Sequence, residues 1–450
     1  MTTAQQQANH LLFLRLITLF ICSLFVLSVP YAALLVLMVG SALFAMRVGR
    51  TMRIERHAAA FALLLFYVFG WGLITGGFHP ASLASPGFYS GEGRILIAYL
   101  PIFLVFSAPQ SLFTAHTMHR IFRIFYMLAL VALALSAVGM INVMFGSHHA
   151  AGYASGSMLI IFICLYAEEK QRWQLLGILA ALLMLMFANS RTTLVGLAFA
   201  FLMYYRARIL GPRVLVGAGI ALTGGLYIWS VVSPFSFDRF MILFDPALWS
   251  AISDQFALAS ATENPSVENV GRVGSYYNIL TRIILWGRAI WLFDQSPILG
   301  IGSFRFNDPG LMVQPIFPGL GIGVAAERSP SVATAHNSYF HTLAEGGIVG
   351  FMLYLMPWLL MLRTFKLRPK DTPMRRMMAK MGSILILFMM FGALTGHLLA
   401  APSMTLWVLF TASLALRATA QPEPATRSVA EPQRNGAERT ALSDSASRPA

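Results

Sequence analysis

"WQLLGILAALLMLMFANSRTTLVGLAFAFLMYYRARILGPR", Trp173–Arg213, holds two apolar runs parted by a short polar turn and ends in a cluster of arginines. The first run, 173–189, would make a helix of roughly 26 Å, against a bilayer core of about 30 Å. The second covers 192–205. Two such runs joined this tightly read as a pair of membrane spans. Similar runs lie near 11–29, 31–46, 58–77, 94–108, 121–143, 150–167, 214–232, 336–362, 377–396 and 401–416. The expected fold class is therefore an all-α polytopic membrane protein of about 12 spans. Composition agrees. Of the 450 residues, 57% are hydrophobic and 11% charged, where a soluble domain carries about 25% charged residues.

The net charge of +14 could point to nucleic acid. It does not, because the basic residues sit in short loops between apolar runs. "MRVGRTMRIERH" (46–57), "YYRARILGPR" (204–213) and "RTFKLRPKDTPMRR" (363–376) are strongly basic, and "HRIFR" (119–123) and "EEKQRW" (168–173) weakly so. If the spans alternate, all five fall on one side. The positive-inside rule makes that side cytoplasmic and puts both termini there. The chain then divides into spans one to nine (1–232), a large periplasmic loop (233–335), spans ten to twelve (336–416) and a tail (417–450). The tail is rich in Pro, Ser, Ala and mixed charge and reads as disordered. The apolar segment starting near Leu11 reads as a first span, not a cleaved signal. Cys22 and Cys164 lie inside apolar runs without metal-ligand spacing and read as buried thiols.

The long loop carries Arg239, Arg272, Arg282, Arg288, Arg305 and Arg328 but no lysine. Guanidinium offers a fixed fork of donors, so the all-arginine choice fits phosphate or carboxylate recognition; low lysine content outside a membrane is the alternative explanation. Within it, "SYYNILTRIILWGRAIWLF" (275–293) is apolar nearly all round but interrupted by Arg282 and Arg288. It reads as an interfacial helix or as a cap on the bundle. In "SPILGIGSFRF" (296–306) the backbone N–H groups of Gly300–Ile301–Gly302 could cradle phosphate or simply form a turn.

Arg191 opens span eight after the short span seven, which draws it into the outer leaflet or a cavity. There it meets an anion or snorkels to lipid phosphates. His336 begins span ten on the external side. Histidine is suited to proton exchange near neutral pH, although a lone interfacial histidine is usually structural. Asn337 can cap the helix. Glu345 lies nine residues after His336, on the opposite face of a straight helix, and four after His341, with which it can pair. Gly346 and Gly350 form a small-residue face for close helix packing. No Asp-x-Asp pair lies on the external side, and the chain lacks a P-loop, a GxGxxG fingerprint and a serine nucleophile elbow. A pyrophosphate-handling transferase that works through a divalent metal needs hard carboxylate ligands.

Three pieces in order, "NSRTTLVG", "LTRIILWGRAIWLFDQSPILGIGSFRF" and "HNSYFHTLAEGGIVG", resemble the O-antigen ligase and O-antigen polymerase superfamily. The resemblance implies about a dozen spans with one large periplasmic loop before a late helix. It implies transfer of a glycan from undecaprenyl pyrophosphate to an acceptor hydroxyl on the periplasmic face of the bacterial inner membrane, with no metal and no cofactor. The family's functional arginines carry over to Arg191 and Arg282, the latter through R-x-x-x-W-x-x-A, met by Arg282, Trp286 and Ala289. Its functional histidine carries over to His336. Arg288, on another face of the loop helix, Arg94 in "GEGRILIAY", and Asn337 are weaker substrate-binding candidates. The implied partners are an undecaprenyl-pyrophosphate-linked glycan, lipid A–core as acceptor and membrane lipids, and no nucleic acid.

The favoured expectation is an O-antigen ligase. An O-antigen or exopolysaccharide polymerase shares the donor but takes a second lipid-linked glycan as acceptor. A protein-directed glycosyltransferase is a further relative. A transporter or flippase would need charges near the bilayer midplane and internal repeats, and neither is evident.

Overall fold

The computed structural model describes residues 55–85, 94–108, 110–140, 148–188, 190–209, 277–306, 308, 334–396 and 402–420, with isolated positions near the N-terminus and at 246. The expected spans 31–46 and 214–232, nearly all of 11–29, much of the long loop and the tail after 420 lie outside these residues.

The described residues form helices and turns and no strand. In chain order the helices are α1 (Arg56–Ile74), α2 (Arg94–Ser107), α3 (Ala115–Ala137), α4 (His148–Glu169), α5 (Arg172–Ala188), α6 (Arg191–Ile209), α7 (Tyr277–Gln295), α8 (Ser338–Leu367), α9 (Pro373–Thr395) and α10 (Pro402–Thr419). Among the described residues, five helices are long and apolar enough to cross a membrane: α1, α3, α4, α8 and α9. They fall on the runs read at 58–77, 121–143, 150–167, 336–362 and 377–396. Shorter apolar helices occupy Arg172–Ala188, Thr192–Tyr205 and Thr405–Thr419, and α2 has 14 residues.

Burial sorts the helices. In α4 every side chain from Ala150 to Leu165 is buried, except the half-buried Ile163, as expected of a helix apolar all round at the centre of a bundle. On α5, Leu175, Leu176, Leu179, Leu182, Met186 and Phe187 are exposed. A water-facing helix would place polar residues there, so this face suits lipid. Between apolar helices in lipid, close packing supplies what water exclusion cannot. Accordingly, a Cβ on Gly152 of α4 would stand 2.4 Å from the Ser190 Cβ, and one on Gly392 of α9 would stand 2.3 Å from the Tyr153 hydroxyl.

The bundle has two chemically different ends. At one, Arg417 pairs with Glu55 and donates to the Ala108 carbonyl, while Gln110 donates to the Arg417 carbonyl at 2.5 Å. Arg368 donates to Leu416 O and to Thr419 Oγ1. His119 bridges Ala115 O and Glu169 Oε1, His57 meets Thr364 Oγ1 at 2.8 Å, and Lys380 lies over the Tyr205 ring. The described parts of all five basic stretches gather here, so the described helices between them alternate in direction; the expected span 214–232 lies outside the described residues. The starts of α2, α4, α6, α8 and α10, and the ends of α1, α3, α5 and α9, lie at the other end.

Candidate active site

That second end gathers the residues singled out from sequence. Asn337 caps α8: its Oδ1 accepts from the backbone N–H of Tyr339 at 3.0 Å and of Phe340 at 3.2 Å. The cap supplies partners for N–H groups that a helix start leaves unpaired. Ser338 donates through Oγ to the Gly396 carbonyl at 2.8 Å. Arg282 of α7 donates through Nη1 to the Thr395 carbonyl at 2.9 Å. Together they cap the C-terminal end of α9, where carbonyls lack helical partners and the dipole favours a cation. Tyr153 of α4, buried, hydrogen bonds the Thr395 side chain and stands within electrostatic reach of Arg282.

His336 immediately precedes this cap. Its φ is +47°, in the left-handed region that costs a residue with a Cβ about 1–2 kcal/mol. Such outliers persist where surrounding structure enforces them, often at functional sites. The side chain is half-buried. Burial lowers its pKa below the ordinary 6.5, and the charges of Arg282 and His341 push it the same way. The imidazole is therefore unprotonated at neutral pH, beside a guanidinium. That pairing can accept a proton and stabilise an anion in one place.

Arg191 is the first residue of α6 and Arg94 the first of α2, so both stand at this end of the bundle. The side chains of both lie outside the described part of the structure. The turn before Arg191 is anchored firmly. Ser190 is 1% exposed, bonds Thr193 Oγ1 at 2.8 Å and packs on Gly152. Ser190 is thus drawn into the bundle against the start of α4.

Residues 176–355 match the family model described as O-Antigen ligase. That segment, 180 of the 450 residues, is similar to the O-antigen ligase family. No curated protein matches the chain. The matched segment contains Arg191, Arg282, Arg288, His336 and Asn337, whereas Arg94, Tyr153 and Thr395 fall outside it.

Within the matched segment the "GIG" turn has no N–H groups to spare for phosphate. Ile301 N donates to Ala344 O at 3.0 Å and Gly302 N to Glu345 O at 3.1 Å. In return, Ile348 N and Val349 N of α8 donate to Pro297 O and Ile298 O. This exchange occupies a break in α8 at Gly347, φ +60°, where an added Cβ would stand 2.3 Å from Ile298 O. Tyr67 of α1 locks the joint, its hydroxyl 2.8 Å from Gly346 O and 3.0 Å from Leu299 O. The small-residue face does admit a neighbour, since the Tyr67 ring lies beside Gly346 and Gly350. His341 and Glu345 pair at 3.3 Å, and Glu345 Oε1 also accepts from Phe306 N at 2.9 Å. "EGGIVG" is architecture. It docks the α7–loop unit onto α8 and so sets where Arg282 stands.

Arg282 and Arg288 occupy different faces of α7. Arg282 meets α9, whereas Arg288 lies over the Phe306 ring, 5.4 Å from its centroid. Sequence reasoning passed over Tyr153, Thr395 and Gly396. The carbonyls carry no side-chain signature at all. Tyr153 lies in a small-residue stretch, "AAGYASGS", whose one large polar side chain was the only available cue.

Proposed function

We propose that this chain is an O-antigen ligase, a glycosyltransferase that moves a polysaccharide from undecaprenyl pyrophosphate to lipid A–core on the periplasmic face of the bacterial inner membrane. The observation that carries the reading is the placement of His336 beside Arg282, inside the family segment and at the end of the bundle away from the basic loops. His336 accepts the proton of the acceptor hydroxyl. The hydroxyl oxygen bonds to the anomeric carbon of the donor as that carbon's bond to the pyrophosphate oxygen breaks. Undecaprenyl pyrophosphate leaves as an anion, held by Arg282 and Arg191. Charge neutralisation by guanidinium leaves no task for a divalent metal, so transfer should persist in EDTA.

An O-antigen or exopolysaccharide polymerase would use the same donor site and differs in the acceptor. A deletion strain separates the two. Loss of the ligase leaves lipid A–core without O-antigen while lipid-linked polymer accumulates. Loss of a polymerase leaves core carrying a single repeat unit. Orientation is tested by reporter fusions at Ser260 and at the C-terminus, which should give opposite signals. The same signal from both would remove the periplasmic site.

A further inference from the structure

Arg288 is unusual among the arginines at this end. Its neighbour Arg305 directs the Nε and Nη2 edge at one acceptor, Asp308 Oδ2, at 3.0 and 2.7 Å, and its Nη1 at Ile301 O. The same edge of Arg288 is withdrawn from solvent, and neither Nε nor Nη2 has a hydrogen-bond partner among the described residues. The side chain as a whole is half-buried. Buried donors of a charged group are normally paired.

The surroundings hold the guanidinium in place without satisfying it. Phe306 supports its face, and the other side of that contact is fixed by His341, whose ring centroid lies 4.8 Å from that of Phe306. Glu345 accepts from the Phe306 N–H through Oε1 and meets His341 through Oε2, so both of its oxygens are engaged. Asp308, held by Arg305 through Oδ2, is the carboxylate whose charge reaches Arg288; a planar fork seated on an aromatic ring suits a two-oxygen anion better than a single hydroxyl.

We propose that the Nε–Nη2 edge of Arg288 binds an oxyanion of the acceptor, a phosphate or a carboxylate, at a subsite separate from the pyrophosphate site at Arg282. This rests on the transferase reading above. The two arginines share α7 but face different neighbours, so one helix sets the distance between donor and acceptor. The subsite makes the enzyme selective for an anionic acceptor glycan, a property the donor site cannot supply.

The test uses the full-length protein in maltoside micelles, which contain no phosphate. Arg288→Gln should raise the KM for lipid A–core about tenfold or more, the scale of one charge-assisted contact, and leave the donor KM within about twofold. Arg288→Lys, which keeps the charge and loses the fork, should fall between. The penalty should vanish with dephosphorylated acceptor if a phosphate is bound, or with carboxyl-reduced acceptor if a carboxylate is. An unchanged acceptor KM, an equal rise in both KM values, or a penalty that persists with both stripped acceptors overturns the proposal. So does competition by phosphatidylglycerol combined with that persistent penalty, which would assign the site to a lipid headgroup. If Arg288→Gln does not fold, Arg288→Lys decides by the same criteria. If the wild type transfers no glycan to lipid A–core, the functional reading fails instead. The subsite is then judged by titrating inorganic phosphate or acetate against the fluorescence of Trp286 and Trp291. Saturable quenching that Arg288→Lys weakens supports it, and its absence rejects it.

Discussion

Two arginines, one at each end of the bundle, are held in opposite ways. Arg417 is 6% exposed and surrounded by partners: Glu55, the Ala108 carbonyl and the rings of Phe106 and Phe113. Its charge is cancelled within the fold, joining α1, α2 and α10. Arg282 donates to one carbonyl, Thr395 O, and its nearest named titratable neighbours are His336 and Tyr153. No carboxylate neutralises it among the described residues. An arginine matched by carboxylate is a structural tie, whereas one left electrostatically unmatched can accept an incoming anion.

The largest effect should come from His336→Ala, with turnover down roughly 10²- to 10⁴-fold, the scale of a general base. Donor KM should stay near wild type and the melting temperature should change little, because alanine keeps the same Cβ at this positive φ. A stability loss without a turnover loss would move His336 to the structural side of the comparison. His341→Gln should be milder, since His341 is held by Glu345. The pH profile sharpens the assignment. His336 sits below its ordinary value because of burial and Arg282. Its base form therefore persists to more acid pH, and the acid limb of kcat should fall below pH 6.5, not above it. Removing the Arg282 charge should move that limb upward.

Arg282→Lys comes next. Lysine still brings a cation to the end of α9, so the fold should hold, but it lacks the fork. A loss of about 10²-fold in turnover is expected, the scale of losing one donor to a developing charge. Near-normal transfer would mean that Arg282 only caps α9. At the other end, Arg417→Met should cost about 2–3 kcal/mol of stability, reduced from the usual figure for a broken buried pair because Glu55 is partly exposed. Turnover per folded molecule should not change, and thermal unfolding with parallel kinetics checks both. A turnover loss there would show that the two ends are coupled. Gly347→Ala should cost roughly 1–3 kcal/mol through its backbone conformation alone, and more because the added Cβ, 2.3 Å from Ile298 O, must displace the 296–302 segment from α8. That displacement should also raise the donor KM, because the joint places α7.

Much was legible in the chain itself. Long apolar runs in Ala115–Ala137 and Pro373–Thr395 can only be satisfied as buried or lipid-facing helices, because every backbone group must be paired within the segment. The basic loops showed which helix ends belong together, and the spacing of His341 and Glu345 showed their pairing. Asn337 declared itself as a cap by residue type and position. These are local properties, set by periodicity, charge and capping chemistry. Which arginine is matched by carboxylate and which is not was decided only by tertiary structure. Arg282 and Thr395 are 113 residues apart, and Arg417 and Glu55 362 apart. No local pattern encodes either contact, nor the insertion of 296–302 into the break at Gly347. The free N–H groups suggested by "GIG" are consumed there, because Ala344 and Glu345 present unpaired carbonyls at that break. A buried donor must find an acceptor wherever the fold provides one, and only the folded arrangement determines which acceptors remain for a substrate.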